Sequence, residues 1–200
     1  MRYFVICIQL LIGYSLQSQC QNNLLENGSF NSSLGSDTAA TGWIIKDGSP
    51  DVNSMDSLSI LNLWGSNPVE SRDGGTWQSL AGDTLIGRYT ETLCQTITLD
   101  DAMPLDLSFE YASHRLLHPH VRDWKGFIRV EVNGTIVYET SITPELDIWY
   151  EAKVRIAPPD REMELCFTGD SDFINTGFIY MGIDGVCLER IKASMFCKDE

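Results

Sequence analysis

"GFIRVEVNGTIVYET", residues 126–140, decides the fold class. Ile128, Val130 and Val132 alternate with Arg129 and Glu131, then Asn133 and Gly134 interrupt, and "TIVYET" resumes an extended pattern. A period of two places alternate side chains on opposite faces of a strand. Asn-Gly between two such runs marks a two-residue hairpin turn, because both turn residues must take positive φ. The same reading makes Asn133 a turn residue in preference to a glycan acceptor, although it opens one of three N-x-S/T triplets, with Asn27 and Asn31.

The period of two extends outward from this hairpin. In "PLDLSFEY", Leu105, Leu107, Phe109 and Tyr111 oppose Asp106, Ser108 and Glu110. In "WYEAKVRI", Tyr150, Ala152, Val154 and Ile156 oppose Glu151, Lys153 and Arg155. "EMELCF" sets Met163, Leu165 and Phe167 against Glu164 and Cys166, and "FIYMGIDGVCLER" reads as a long last strand with a glycine-marked irregularity. "GWIIK", "LSILNLW" and "ETLCQTITL" read as earlier strands, and helical periodicity is weak throughout. Short strands separated by Gly, Asn, Asp and Pro predict an all-β chain, an antiparallel two-sheet β-sandwich. Each sheet should bury one face and wet the other, with polar loops at the two ends.

Residues 1–20, "MRYFVICIQLLIGYSLQSQC", have a charged start, an apolar middle and a polar end. That is the build of a secretory signal peptide, and the apolar run is shorter than the roughly 20 residues of a membrane helix. Cleavage after Cys20 is the expectation, with a lipid-anchored Cys20 as the rival; residues 21–200 then form a single sandwich domain. No later segment is apolar enough to span a bilayer as a helix. The formal net charge is −14. It argues against nucleic acid and anionic membrane surfaces as partners and suits a soluble extracellular protein.

Of six cysteines, Cys7 departs with the leader, and Cys20 with it under the expected cleavage. Cys94, Cys166, Cys187 and Cys197 are the disulfide candidates in an oxidising compartment. Four cysteines allow three pairings, and the sequence does not choose among them. No CxxC pair suggests a zinc knuckle.

Several phrases in order resemble the galactose-binding-like jelly-roll superfamily, which includes many carbohydrate-binding modules. They are "NLLENGSF" (residues 23–30), "GWIIKDGSPDV" (42–52), "GGTWQSL" with "ETLCQTITL" and "LDLSFEYA", and the closing "IYMGIDGVCLE" (179–189). The resemblance covers nearly the whole chain after the leader and implies an eight- to ten-stranded jelly roll. It also implies a structural Ca²⁺ where the first and last strands meet, with Glu26, Asn31 and Asp184 in the matching stretches. Such an ion takes oxygen donors, and Asn31 brings an amide where relatives often bring a carboxylate. The alternative for Asp184 is a backbone hydrogen bond within a bulged strand.

"SHRLLHPHVRDW", residues 113–124, holds all three histidines, His114, His118 and His120. It follows a strand ending near Ala112 and is either a loop or an extended strand end capped by one. His-x-His with Asp123 has metal-ligand spacing, but Pro119 breaks ladder pairing. No G-x-S-x-G turn occurs and no carboxylate pair stands out, so no catalytic set is assigned and a non-enzyme is expected. Trp124, His118, His120, Arg122 and Asp123 together mix an aromatic face with hydrogen-bonding groups. That is the chemistry a sugar requires: a ring for its C–H face and polar groups for its hydroxyls. Trp64 and Trp77, flanking a glycine-rich loop at residues 65–76, are comparable candidates, whereas Trp43 and Trp149 read as core or edge packing. The expectation is therefore a secreted domain binding a glycan or other polyhydroxylated ligand. The alternative is a structural or adhesion domain meeting a protein partner.

Overall fold

In a computed structural model of the protein, the strands run β1 (Ile44–Asp47), β2 (Asp51–Ser54), β3 (Thr76–Asp83), β4 (Tyr89–Thr98), β5 (Leu105–Arg115), β6 (Gly126–Val132), β7 (Thr135–Ile142), β8 (Tyr150–Ile156), β9 (Glu162–Ser171) and β10 (Ile179–Arg190). The structure describes residues 20, 22–32, 35, 37–54, 75–83, 89–115, 126–142, 148–157, 161–171 and 179–191. Among them no helix occurs, and every pairing is antiparallel. Sheet I has the order β2-β3-β10-β5-β8, and sheet II the order β1-β4-β9-β6-β7. The two join at one corner, where Gly82 and Asp83 pair with Thr90 and Tyr89. This is the two-sheet sandwich that the alternation predicts.

The hairpin closes as read. Asn133 and Gly134 have φ of 49° and 74°, and Val132 pairs with Thr135. The Asn133 backbone N–H donates to the Glu164 carbonyl and its Oδ1 accepts from the Glu164 N–H, at 3.0 and 2.8 Å, docking the turn on β9. The irregularity in the last strand is a β-bulge. Register against β5 shifts between Asp184 and Cys187, and Gly185 takes φ 55°. One extra residue reverses the alternation, so Ile183 and Leu188 both face the core while Asp184 faces outward.

Between the sheets, Leu80, Leu107, Phe109, Met181 and Ile183 of sheet I meet Leu93, Ile128, Val130, Leu165 and Phe167 of sheet II, all buried. The segment before β1 supplies Phe30 and Trp43, whose rings lie 5.0 Å apart, with Trp43 against Phe167 at 6.0 Å. Trp43 is thus core, as expected. Residues 22–28 are tied to the last strand. Leu24 N–H donates to the Leu188 carbonyl, Val186 N–H to the Gly28 carbonyl, and Asn23 bridges Val186 and Leu188 through its side chain. A Cβ on Gly28 would overlap the Val186 carbonyl, so glycine permits this approach.

The structure departs from the sequence reading at β2, at the start of β3 and in the pairing of Cys20, and it decides between the two readings of residues 113–115. β5 continues to Arg115, with His114 paired to Tyr180, so residues 113–115 are strand where a loop was one of the two readings. β3 begins at Thr76, inside the stretch read as a loop, and β2 was not foreseen, because four residues are too few to show a period. The strand read at residues 58–64 lies outside the described residues. Finally, Cys20, assigned above to a departing leader, forms a disulfide with Cys187. Cys94 pairs with Cys166, directly opposed across β4 and β9, and Cys197 lies outside the described residues.

Candidate functional site

Strand ends define two ends of the sandwich. β3, β5, β7 and β9 finish, and β4, β6, β8 and β10 begin, at one end. The connections 84–88, 116–125, 143–147 and 172–178 all leave from that end. The connection 55–74 leaves from the other, between Ser54 and Gly75. His118, His120, Arg122, Asp123 and Trp124 belong to the first group and Trp64 to the second; all six lie outside the described residues.

Trp77 is described, and it stands on the outer face of sheet I. There, alternation predicts solvent. The half of that face away from the histidine segment obeys: Asp106, Lys153 and Arg155 are exposed, with Arg155 bonded to Asp106 at 3.1 Å. The other half does not. Asn53 is 1% exposed, Trp77 1%, Ser79 2%, Glu110 7% and Asp184 0%. The register arranges them in rows. Asn53 lies opposite Trp77, and Asp184 opposite Glu110, which lies opposite Glu151. The next row is Ser79, Gly182 and Ala112.

Trp149, immediately before β8, meets Trp77 edge to face, with centroids 6.0 Å apart and planes at 76°. β10 and β5 lie between the strands that carry these rings. Gly182 and Ala112 keep that span low, so a ring can pass over it. The site therefore combines an aromatic pair with an amide, a hydroxyl and two buried carboxylates. Polar groups on a sheet face are costly to bury without partners, and Glu110, Glu151 and Asp184 each have one. Asn53 Oδ1 is buried and has no hydrogen-bond partner among the described residues.

At the sandwich edge, Tyr111 stacks on Tyr150 at 5.6 Å and approaches Tyr138 at 6.5 Å. Burial, reinforced by the neighbouring Tyr111, pushes the Tyr138 hydroxyl up to about 12. Asp51, next to Asn53, is also raised above the usual carboxylate value. Burial is the main cause and nearby Asp37 adds to it, opposed by the Asp37 N–H that its Oδ1 accepts at 3.0 Å.

Asp184 Oδ1 accepts from Gly185 N–H at 2.8 Å, the backbone alternative raised from sequence. Glu26 packs toward Gly42, with its backbone bonded to Gln95 in both directions, and Asn31 donates to Ser29 Oγ. Among the described residues, two groups of three possible metal donors gather: Cys20, Cys187 and Glu189, and Cys94, Glu164 and Cys166. In both, the sulfurs are joined in a disulfide and offer no thiolate. No described helix is long and apolar enough to cross a membrane.

The fold is a two-sheet jelly-roll sandwich. Its solved neighbours include a family 61 carbohydrate-binding module in complex with β-1,4-galactotriose. That module is 15% identical, with a TM-score of 0.54, over 84% of this chain and 99% of that one. A Stig cyclase, Fisc, from Fischerella sp. TAU, in complex with a pyrrolidinylidene-indole, is 14% identical, with a TM-score of 0.56, over 84% and 97%. An arabinose-bound α-L-arabinofuranosidase of family GH51 is 15% identical, with a TM-score of 0.50, over 83% of this chain and 26% of that one. No family model and no curated protein matches the sequence. One fold thus serves binding and catalysis among these neighbours, so function must be argued from the site.

The sequence reading does not single out Asn53, Ser79 or Glu110, and it reads Trp149 as core or edge packing, which the contact with Trp77 fits. Alternation places Glu110 outward correctly. It contains no signal that part of an outward face is covered.

Proposed function

We propose that this chain is a secreted, non-catalytic domain that binds a neutral glycan on the outer face of sheet I. The observation that carries the reading is Trp149, half-buried and packed edge to face on the buried Trp77, on a face that alternation assigns to solvent. Aromatic rings accept the C–H faces of sugars, and amide, hydroxyl and carboxylate groups bond the hydroxyls. His118, His120, Arg122, Asp123 and Trp124, which follow β5 in the chain, are included in this proposal on the chemistry of their side chains. The galactotriose-bound module of the same fold supports the ligand class. The net charge of −14 disfavours uronate-rich or sulfated chains. Two disulfides suit an oxidising, extracellular compartment, and a leader that ended before Cys20 would leave its pairing with Cys187 intact.

A glycan array followed by calorimetry tests the proposal. Trp149→Ala should weaken binding about tenfold, on the order of 1.4 kcal/mol, with the melting temperature little changed. No binding across neutral glycan classes, or turnover of a bound sugar, would refute it.

A further inference from the structure

We propose that Tyr150 and Tyr111 form a second aromatic subsite at the edge of the sandwich, which takes a neutral oligosaccharide chain that continues round that edge from Trp149. The inference rests on the carbohydrate-binding reading and goes beyond it by assigning a second contact and an extended form of ligand. The spacing along β5 shows where the interior opens. Leu105, Leu107 and Phe109 face inward and are at most 1% exposed, whereas Tyr111, next on the same side, is only half-buried. Tyr150 of β8, paired with Tyr111 in register, is half-buried as well, and so is Tyr138 of β7. β8 is an edge strand of sheet I and β7 an edge strand of sheet II. The layer between the sheets is therefore bordered here by three tyrosine rings that solvent reaches. Tyr111 and Tyr150 lie nearly parallel, with planes 28° apart, and the Tyr138 hydroxyl bonds to the side chains of Tyr111 and Thr140.

A flat ring with a neutral hydroxyl at its tip joins the two chemistries a sugar requires, a surface for C–H groups and a partner for hydroxyls. Position links these rings to Trp149. Consecutive residues of a strand point to opposite faces, and in an interior strand that would put them in separate compartments. Because β8 is an edge strand, Trp149 on the outer face and Tyr150 on the inner side border the same rim. Ile148, one residue earlier, is 46% exposed and adds apolar surface there. A single sugar covers one of these rings. A chain that crosses the rim covers both.

The test uses the full chain and two variants, Tyr150→Leu, which keeps apolar bulk without the ring, and Tyr150→Phe, which keeps the ring. Each is melted without ligand and titrated calorimetrically with di- to pentasaccharides of β-1,4-linked galactose, xylose, glucose and mannose. For whichever backbone binds the parent, the pentasaccharide should bind about tenfold more tightly than the disaccharide. Tyr150→Phe should retain that gain. Tyr150→Leu should lose it while binding the disaccharide within about twofold of the parent. Equal affinity at every length in the parent would overturn the second subsite and leave the Trp149 contact standing, and this measurement needs no variant to fold. A gain that survives Tyr150→Leu would also overturn it. Failure of the parent to bind any of these sugars would overturn the inference, and the array then decides whether the wider reading falls with it.

Discussion

Replacing Cys20 and Cys187 together by alanine is expected to lower the free energy of unfolding by about 5 kcal/mol, taking the chain-entropy model of a crosslink at face value. The sequence separation of 167 makes this crosslink span most of the chain. Without it the unfolded state gains freedom, while the native state keeps residues 22–28 on β10 through backbone bonds and the Asn23 bridge. Cys94 and Cys166, separated by 72 residues, close a shorter loop, and their replacement is expected to cost about 4 kcal/mol on the same model. Domains of this kind commonly hold only about 5–15 kcal/mol in all, so either change is a large share. Urea titration of the oxidised parent and each double variant measures both. Costs below about 1 kcal/mol would mean that the pairings contribute little to folding. The first pair also tests the N-terminal boundary, because exported protein that lacked Cys20 would show a free Cys187 thiol on labelling.

Phe109→Ala is expected to cost about 4 kcal/mol, within the range for emptying a buried aromatic site. Phe109 is fully enclosed on β5, and its ring touches partners from both sheets. Phe167 lies at 5.1 Å and Tyr138 at 5.4 Å, both nearly perpendicular to it, and Tyr111 lies at 6.1 Å. Its partners come from sheets that are hydrogen-bonded to each other only at the β3–β4 corner among the described pairings, so the space left by truncation would not collapse without shifting one sheet against the other. An exposed change on the same strand, Asp106→Ala, serves as the control and should stay within about 0.5 kcal/mol. Denaturant melts decide, and a cost for Phe109→Ala similar to that of the control would contradict the packing described.

Much of this architecture was legible because alternation is a local signal. Leu105, Leu107 and Phe109 announce their burial by spacing alone, and Asn133-Gly134 announces its turn. The bulge at Gly185 was visible as an irregularity, since a glycine in the middle of an apolar strand needs a reason. The short β2 was not legible, because its four residues show no period and owe their conformation to pairing with β3. The site was harder still. Sequence analysis favoured the aromatic and histidine residues of connections, which concentrate binding chemistry in many sandwiches. Asn53 and Glu110 give no such sign. Their significance comes from burial on an outward face, which depends on segments distant in sequence. Cys20 is a related case: its pairing depends on a partner 167 positions away, while its local context is that of a leader's end.

The central claim is that ligand meets the outer face of sheet I. Nuclear magnetic resonance of protein carrying ¹⁵N-labelled tryptophan tests it most directly, because each indole N–H gives its own signal. Titration with a neutral oligosaccharide that binds the parent should shift the Trp77 and Trp149 signals and leave Trp43, enclosed between the sheets, unmoved. Saturable binding that leaves both Trp77 and Trp149 unchanged would contradict the account.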